Sequence, residues 1–203
     1  RRLWRGETLS FDGRWSKLVD VRIGPPSPRP NGPPIWMASF APSHSLDFSA
    51  GFPVPIRRAL ERVGRLADGW APLTYSASSK RRMEPAQLGA AWRIVQEGAA
   101  KVGRNSAEIE VIHSDWLYVL DGPDAEARCE KALATFFTGD WAAAKNTYVI
   151  GTADEVVEQM LATTAAIDRN MDGYLLTPLS NEPEQLDLIR ERVAPALRAA
   201  NRK

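Results

Sequence analysis

Ile35-Trp36-Met37-Ala38 is a four-residue apolar run with no polar alternation, entered from Pro33-Pro34. A strand reads this way when it lies in a parallel sheet covered on both faces. Downstream, a polar loop spans Ser39 to Phe52, and then Ile56, Leu60, Val63 and Ala67 recur at helical spacing behind Pro53 and Pro55. Proline suits the first turn of a helix, where the amide has no intrahelical partner. A second strand is predicted to include Asp68-Gly69-Trp70-Ala71.

The same alternation continues to the end of the chain. Pro85 opens a helix with the stripe Leu88, Trp92, Val95 and Ala99, and Gly103 is placed to stop it in a left-handed cap. Ile109 to Leu120 is the longest predicted strand, turned by Asp121-Gly122-Pro123 into a helix around Asp124 to Phe137 with Leu133, Phe136 and Phe137 on its apolar face. The stretch through Asn146 is ambiguous. Thr152-Ala153-Asp154-Glu155 is a capping box, with Val156, Met160 and Leu161 turned inward behind it. Tyr174-Leu175-Leu176-Thr177 is the last strand, and Pro183 starts a terminal helix carrying Leu186, Ile189 and Val193.

Upstream of Ile35 the pattern differs. Leu9 to Ser16 sets two short runs around Asp12-Gly13, a pair that tolerates the positive φ angles of a hairpin turn. Six prolines between Pro25 and Pro34 then remove backbone donors and predict an extended connector. Residues 1–34 therefore read as an inserted segment before residues 35–203. Repeated strand-helix units imply an α/β fold, either an open doubly wound sheet or a closed barrel. A complete (β/α)8 barrel takes about 250 residues, so four such units make about half of one. The chain also starts mid-pattern on Arg1, so four further units are expected before it.

Composition narrows the partners. With 26 Lys+Arg against 25 Asp+Glu, the net charge of +1 gives no general field for nucleic acid or an anionic membrane. No apolar run approaches the roughly 20 residues of a membrane helix. The single cysteine, Cys129, excludes an internal disulfide and suggests a reducing, cytoplasmic setting. It sits inside a predicted helix away from any histidine, which favours a small buried apolar role over a nucleophile. With only His44 and His113, neither a zinc site nor a hydrolytic triad can be assembled from this chain alone.

The order of segments resembles the luciferase-like monooxygenase family. The residues that carry the likeness are Gly6-Glu7 to Leu18, Pro33-Pro34-Ile35-Trp36-Met37-Ala38, Arg65-Leu66-Ala67-Asp68-Gly69-Trp70, Ala100 to Ile109, Ile150-Gly151-Thr152-Ala153-Asp154-Glu155-Val156 and Asp172-Gly173-Tyr174-Leu175-Leu176. Where the family often has two glycines after its Ile-Trp strand, this chain has Ala38-Ser39. The resemblance implies the C-terminal half, strands 5–8, of a (β/α)8 TIM barrel. It also implies an oxidoreductase that uses FMN or coenzyme F420 on a small organic substrate, with a flavin reductase as a possible partner and self-association into homo-oligomers. The alternatives are a non-catalytic flavin-binding relative and a generic α/β phosphate-ligand domain.

Active sites of such barrels lie at the C-terminal ends of the strands. By resemblance, the loop after Ala38 holds the cofactor phosphate, with Ser39, Ser43, His44 and Ser45 as donors, while Trp70 and Trp36 are candidates to stack on a ring, set against plain packing beside the strands. His113 and Asp115, two apart on a predicted strand, share one face, and a polar pair in an apolar run needs partners or a purpose. They are the catalytic candidates, set against a hydrogen-bonded core pair. Thr152 starts a helix, but Asp154 and Glu155 occupy its positive end, so it is read as a cap and not as a phosphate site. Arg57-Arg58 and Lys80-Arg81-Arg82 read as solvated basic faces.

Overall fold

The computed structural model of the protein describes residues 1–38, 48 and 50–201. It divides into two compact units, Arg1–Ile35 and Trp36–Lys203. The first holds a 3-10 turn (Leu3–Arg5) and an antiparallel hairpin of β1 (Leu9–Asp12) and β2 (Lys17–Val21). Its connection is four residues long, closed by Gly13 N donating to Ser16 O at 2.9 Å, so the two-residue Asp-Gly turn does not form. The left-handed φ falls instead on Asp20, at 50°. There the register slips by a bulge, and Ser10 and Asp20 close it by exchanging hydrogen bonds of 2.9 and 3.0 Å.

In the second unit β3 (Trp36–Met37) leads through α1 (Val54–Leu66) to β4 (Gly69–Trp70). A small hairpin of β5 (Tyr75–Ser76) and β6 (Arg81–Arg82) precedes α2 (Pro85–Ala100) and the long β7 (Glu110–Val119). Then come α3 (Ala125–Leu133), α4 (Trp141–Thr147), β8 (Val149–Gly151), α5 (Ala153–Thr164) and β9 (Gly173–Pro178). The chain closes with α6 (Pro183–Leu188), a π-turn (Ile189–Val193) and α7 (Ala194–Ala200).

All the pairings among β3, β4, β7, β8 and β9 are parallel. Hydrogen-bond parity along β7 assigns its two edges. Even residues point one way: Glu110 N donates to Asp68 O (2.9 Å) and Leu120 N to Gly151 O (2.7 Å). Odd residues point the other way, where Asp172 N donates to Val111 O and Leu179 N to Leu117 O, both at 2.9 Å. So β4 and then β8 share one edge of β7, and β9 follows the other.

Helices α1, α2 and α5 and the C-terminal helical residues lie on one face of this sheet. Val111, Trp70 and Ala67 form one core with Leu60 and Val63 of α1 and Leu88 and Val95 of α2. Leu117 and Val119 form another with Val156 and Met160 of α5 and Val193 and Leu197 near the C-terminus. Fully burying each such aliphatic side chain contributes about 1.5–3 kcal/mol. The shorter helices α3 and α4 pack on the opposite face, against Tyr118 near the C-terminal end of β7.

Two further sequence expectations change. The helix expected to reach Phe137 ends at Leu133, and a separate α4 and the short β8 follow, too short to show periodicity. In the terminal helix Leu186 is 59% exposed, while its neighbour Gln185 is 2% exposed. The Gln185 side chain accepts from Val119 N (2.8 Å) and donates to Val119 O (2.9 Å), extending the edge of β7 where β9 has ended. Two satisfied backbone groups outweigh the apolar gain that Leu186 would offer.

Candidate functional site

Register decides which side chains share a face. Trp36 pairs with Gly69 and Gly69 with Glu110, while Ser114 pairs with Leu175 and Trp116 with Thr177. These residues stand on the face away from α1, α2 and α5. Trp36 is 50% and Leu175 58% exposed there. Gly69 is required beneath the indole, since a Cβ would come within 2.4 Å of Trp36 Cδ1. Trp36 Nε1 crosses this gap to donate to Glu110 Oε2 at 2.8 Å.

Toward the C-terminal ends of the strands the same face is aromatic. Tyr75, delivered by the hairpin after β4, lies 6.3 Å from Trp116 and 5.7 Å from Tyr148, and Trp116 stacks on Tyr148 at 6.3 Å and 23°. Burial, then the nearby Tyr148 and Asp115, push the Tyr75 phenol up to about 12. Tyr118 is also pushed up to about 12, by burial and by the hydrogen bond it donates to Glu182 (2.6 Å). Both phenols are therefore protonated near neutral pH and serve as hydrogen-bond donors, not bases.

His113 and Asp115 stand on the other face, in the row of Val111, Leu117 and Val119 that the helices cover. His113 is 1% and Asp115 0% exposed. Arg82 from β6 grips Asp115 with two hydrogen bonds of 2.7 and 2.5 Å, and His113 Nε2 lies 3.0 Å from Asp115 Oδ2. Burial works to raise the Asp115 pKa, but the His113 hydrogen bond and the Arg82 charge outweigh it and hold the carboxyl below the usual aspartate range. An ionised carboxylate only accepts, so Nε2 is the donor of this bond. Nδ1 has no partner among the described residues.

The sequence candidates thus separate. His113 and Asp115 come together, as a buried ion-pair network between sheet and helices. Trp70 is fully buried on that same side and stacks on Trp92 of α2 at 5.7 Å and 16°, a packing position within the core. Ala38 is exposed just past the C-terminal end of β3. Ser39 and His44 lie outside the described residues. The sequence reading missed Ser114, Trp116, Leu175 and Thr177. Its available signal was parity: within Ile109–Leu120 the odd positions hold Val111, Leu117 and Val119, the row of a covered face, which leaves the even positions for the open one.

No family model and no curated protein matches the chain. Solved structures do. A coenzyme F420-dependent tetrahydromethanopterin reductase from Methanopyrus kandleri aligns over 97% of this chain and 60% of its own, at TM-score 0.64 and 14% identity. An F420-dependent secondary alcohol dehydrogenase, solved with an F420-acetone adduct, aligns over 97% of this chain and 58% of its own, at TM-score 0.62 and 16% identity. A riboflavin lyase with modified FMN aligns over 95% of this chain and 48% of its own, at TM-score 0.59 and 16% identity. The chain therefore spans about half to three fifths of the length of these structures, and what it shares with them is fold. The likeness is one of fold, to F420-dependent and FMN-containing structures of the kind that the sequence resemblance implies. Among the described residues no helix is long and apolar enough to cross a membrane, and no cluster of His, Cys, Asp and Glu could hold a metal ion.

Proposed function

We propose that this chain supplies strands 5–8 of a luciferase-like (β/α)8 barrel in an oxidoreductase that uses reduced FMN or F420 on a small organic substrate. The observation that carries this reading is the separation of the two sheet faces. Helices α1, α2 and α5 and the C-terminal residues Val193 and Leu197 pack on one face, while the other presents Trp36, Ser114, Leu175 and Thr177, with α3 and α4 packed on it only around Tyr118. A flavin or deazaflavin needs an apolar flat surface for its ring and an anion site for its phosphate. Exposed Trp36 and Leu175 fit the first requirement. The loop that begins at Ala38, with Ser39 and His44, is assigned to the second.

When bound, the cofactor supplies the two-electron redox chemistry. This chain's own residues bind, orient and exclude water. Trp36 and Leu175 support the ring, Ser114 and Thr177 offer hydroxyls beside it, and the cluster of Tyr75, Trp116 and Tyr148 closes the substrate side. His113 and Asp115 act behind the sheet as structure. A flavin reductase supplies reduced FMN if oxygen is the co-substrate, and the enzyme works as a cytoplasmic homo-oligomer.

Visible absorption of the full-length protein after incubation with FMN or F420, followed by NAD(P)H or reduced-F420 consumption with candidate alcohols, aldehydes and alkanes, tests the reading. A bound chromophore with substrate-dependent turnover is expected. Bound flavin without turnover would make the protein a flavin carrier, and no binding of either cofactor would overturn the proposal.

A further inference from the structure

The hairpin after β4 carries charge that neither sheet face uses. From Ala71 to Met83 the chain has no acidic residue, and its turn reads Ser76-Ala77-Ser78-Ser79-Lys80-Arg81. The carboxylate bound to the hairpin, Asp115, is committed to Arg82. Lys80 and Arg81 are exposed, and neither forms an ion pair among the described residues.

The hydroxyls of the turn are organised around the same point. Ser76 Oγ accepts from Ser79 N at 3.2 Å and lies 3.1 Å from Ser78 Oγ. The Ser79 hydroxyl is buried with no hydrogen-bond partner among the described residues. Lys80 holds a left-handed φ of 53°, a conformation that a non-glycine residue adopts at a cost. The hairpin is tied down on three sides, by the Leu73–Ser114 bridge, by Met83 N donating to Thr74 O (2.7 Å) and by the Arg82–Asp115 pair. A rigid turn with two unpaired cations and a hydroxyl in need of an acceptor is a preorganised place for a multi-oxygen anion.

We propose that the Ser76–Arg81 turn is an anion subsite at the C-terminal end of the sheet, taking a phosphate-like group through Lys80, Arg81 and the Ser79 hydroxyl. Its role rests on the oxidoreductase reading, in which this end is the mouth of the site. With the cofactor phosphate assigned to the loop that begins at Ala38, the anion here is an acidic group on the substrate, and the cofactor phosphate is the other source that the test separates. The lysine provides a compact point charge and the arginine a fork matched to two oxygens.

Inorganic phosphate titrated into the 15N-labelled full-length protein at constant ionic strength in chloride tests the subsite directly. Saturable amide shifts centred on residues 76–82 are expected, with affinity reduced about tenfold or more in the Lys80→Ala/Arg81→Ala variant, since charge-assisted contacts are the strong ones. Both side chains are exposed, so the variant keeps its fold, which circular dichroism checks. Shifts reproduced by chloride alone, or an unchanged affinity in the variant, would overturn the proposal. Parallel FMN and riboflavin titrations identify the source. Weakening of FMN alone assigns the subsite to the cofactor phosphate, while loss of inorganic phosphate binding with both flavins unaffected assigns it to the substrate. Failure to bind FMN or F420 with the phosphate response intact would sink the oxidoreductase reading and leave the subsite standing.

Discussion

The guanidinium of Arg82 and the carboxylate of Asp115 form a two-point contact of 2.7 and 2.5 Å across the sheet's helix-covered face, with Asp115 wholly buried. The contact ties the hairpin after β4 to the middle of β7. Because Tyr75 rides on that hairpin beside Trp116, an ion pair on one face fixes an aromatic wall on the other. Asp115→Asn leaves Arg82 largely uncompensated, and breaking a buried pair in this way costs about 3–5 kcal/mol. Urea unfolding of wild type and variant measures it, and a difference under 1 kcal/mol would show that the pair contributes little.

The same pair sets an acid limit. The folded pKa of Asp115 is lowered from the ordinary value of 3.8, so the unfolded state binds the proton more readily. Its contribution is fully present above that ordinary value and is lost as pH falls below it toward the folded pKa. The stability gap between wild type and Asp115→Asn should therefore be flat near neutrality and shrink below about pH 4. A gap that persists unchanged to pH 2 would remove the carboxylate's charge from the explanation.

Helices α1 and α2 meet through two glycines. A Cβ on Gly64 would lie 2.0 Å from Val95 O, and one on Gly98 would lie 2.4 Å from Glu61 O, both contacts with backbone that cannot rotate away. Gly64→Ala or Gly98→Ala must push the helices apart, for about 1–3 kcal/mol each. The two should be less than additive, because one separation relieves both clashes. Thermal unfolding of the two single variants and the double variant checks this.

Much of this architecture is legible in the sequence because the period changes from strand to helix at residues whose chemistry marks the change. Pro85 and Pro183 open helices as read, and Thr152 and Glu155 close their capping box at 2.7 Å. What escaped had no local signal. The pairing of β8 with β7 joins residues some 30 positions apart through only three residues, Val149–Gly151. Gln185 is buried for a backbone partner that no spacing rule reveals. The site was half legible: period two puts His113 and Asp115 on one face, and the apolar row of Val111, Leu117 and Val119 marks that face as the covered one, but the aromatic partners Tyr75 and Tyr148 come from other elements and leave no local signal.

Gln185 gives a test of that non-local contact. Gln185→Leu keeps the volume but strands the N–H and C=O of Val119, a penalty of about 1–3 kcal/mol for each buried group left without a partner. The Val119 amide should exchange with solvent faster in the variant than in wild type, by more than the change in global stability explains. Equal exchange after that correction would show that water replaces the side chain.

Opposite faces of β7 and β9 make opposite predictions for function. Leu175 is 58% exposed on the open face, so Leu175→Lys removes little packing, yet it places a charge where the flavin or F420 ring is proposed to lie. Cofactor affinity of the full-length protein should fall at least about tenfold, the equivalent of roughly 1.4 kcal/mol, with the melting temperature nearly unchanged. His113→Phe, on the covered face, should do the reverse. It removes a hydrogen bond to Asp115 inside the core, so stability falls by about 1–3 kcal/mol while turnover per folded molecule is kept. Paired measurements of melting temperature and turnover separate the two faces. If His113→Phe abolished turnover in a protein that still melts normally, the histidine would belong to the chemistry, and the assignment of the site to the open face would fall.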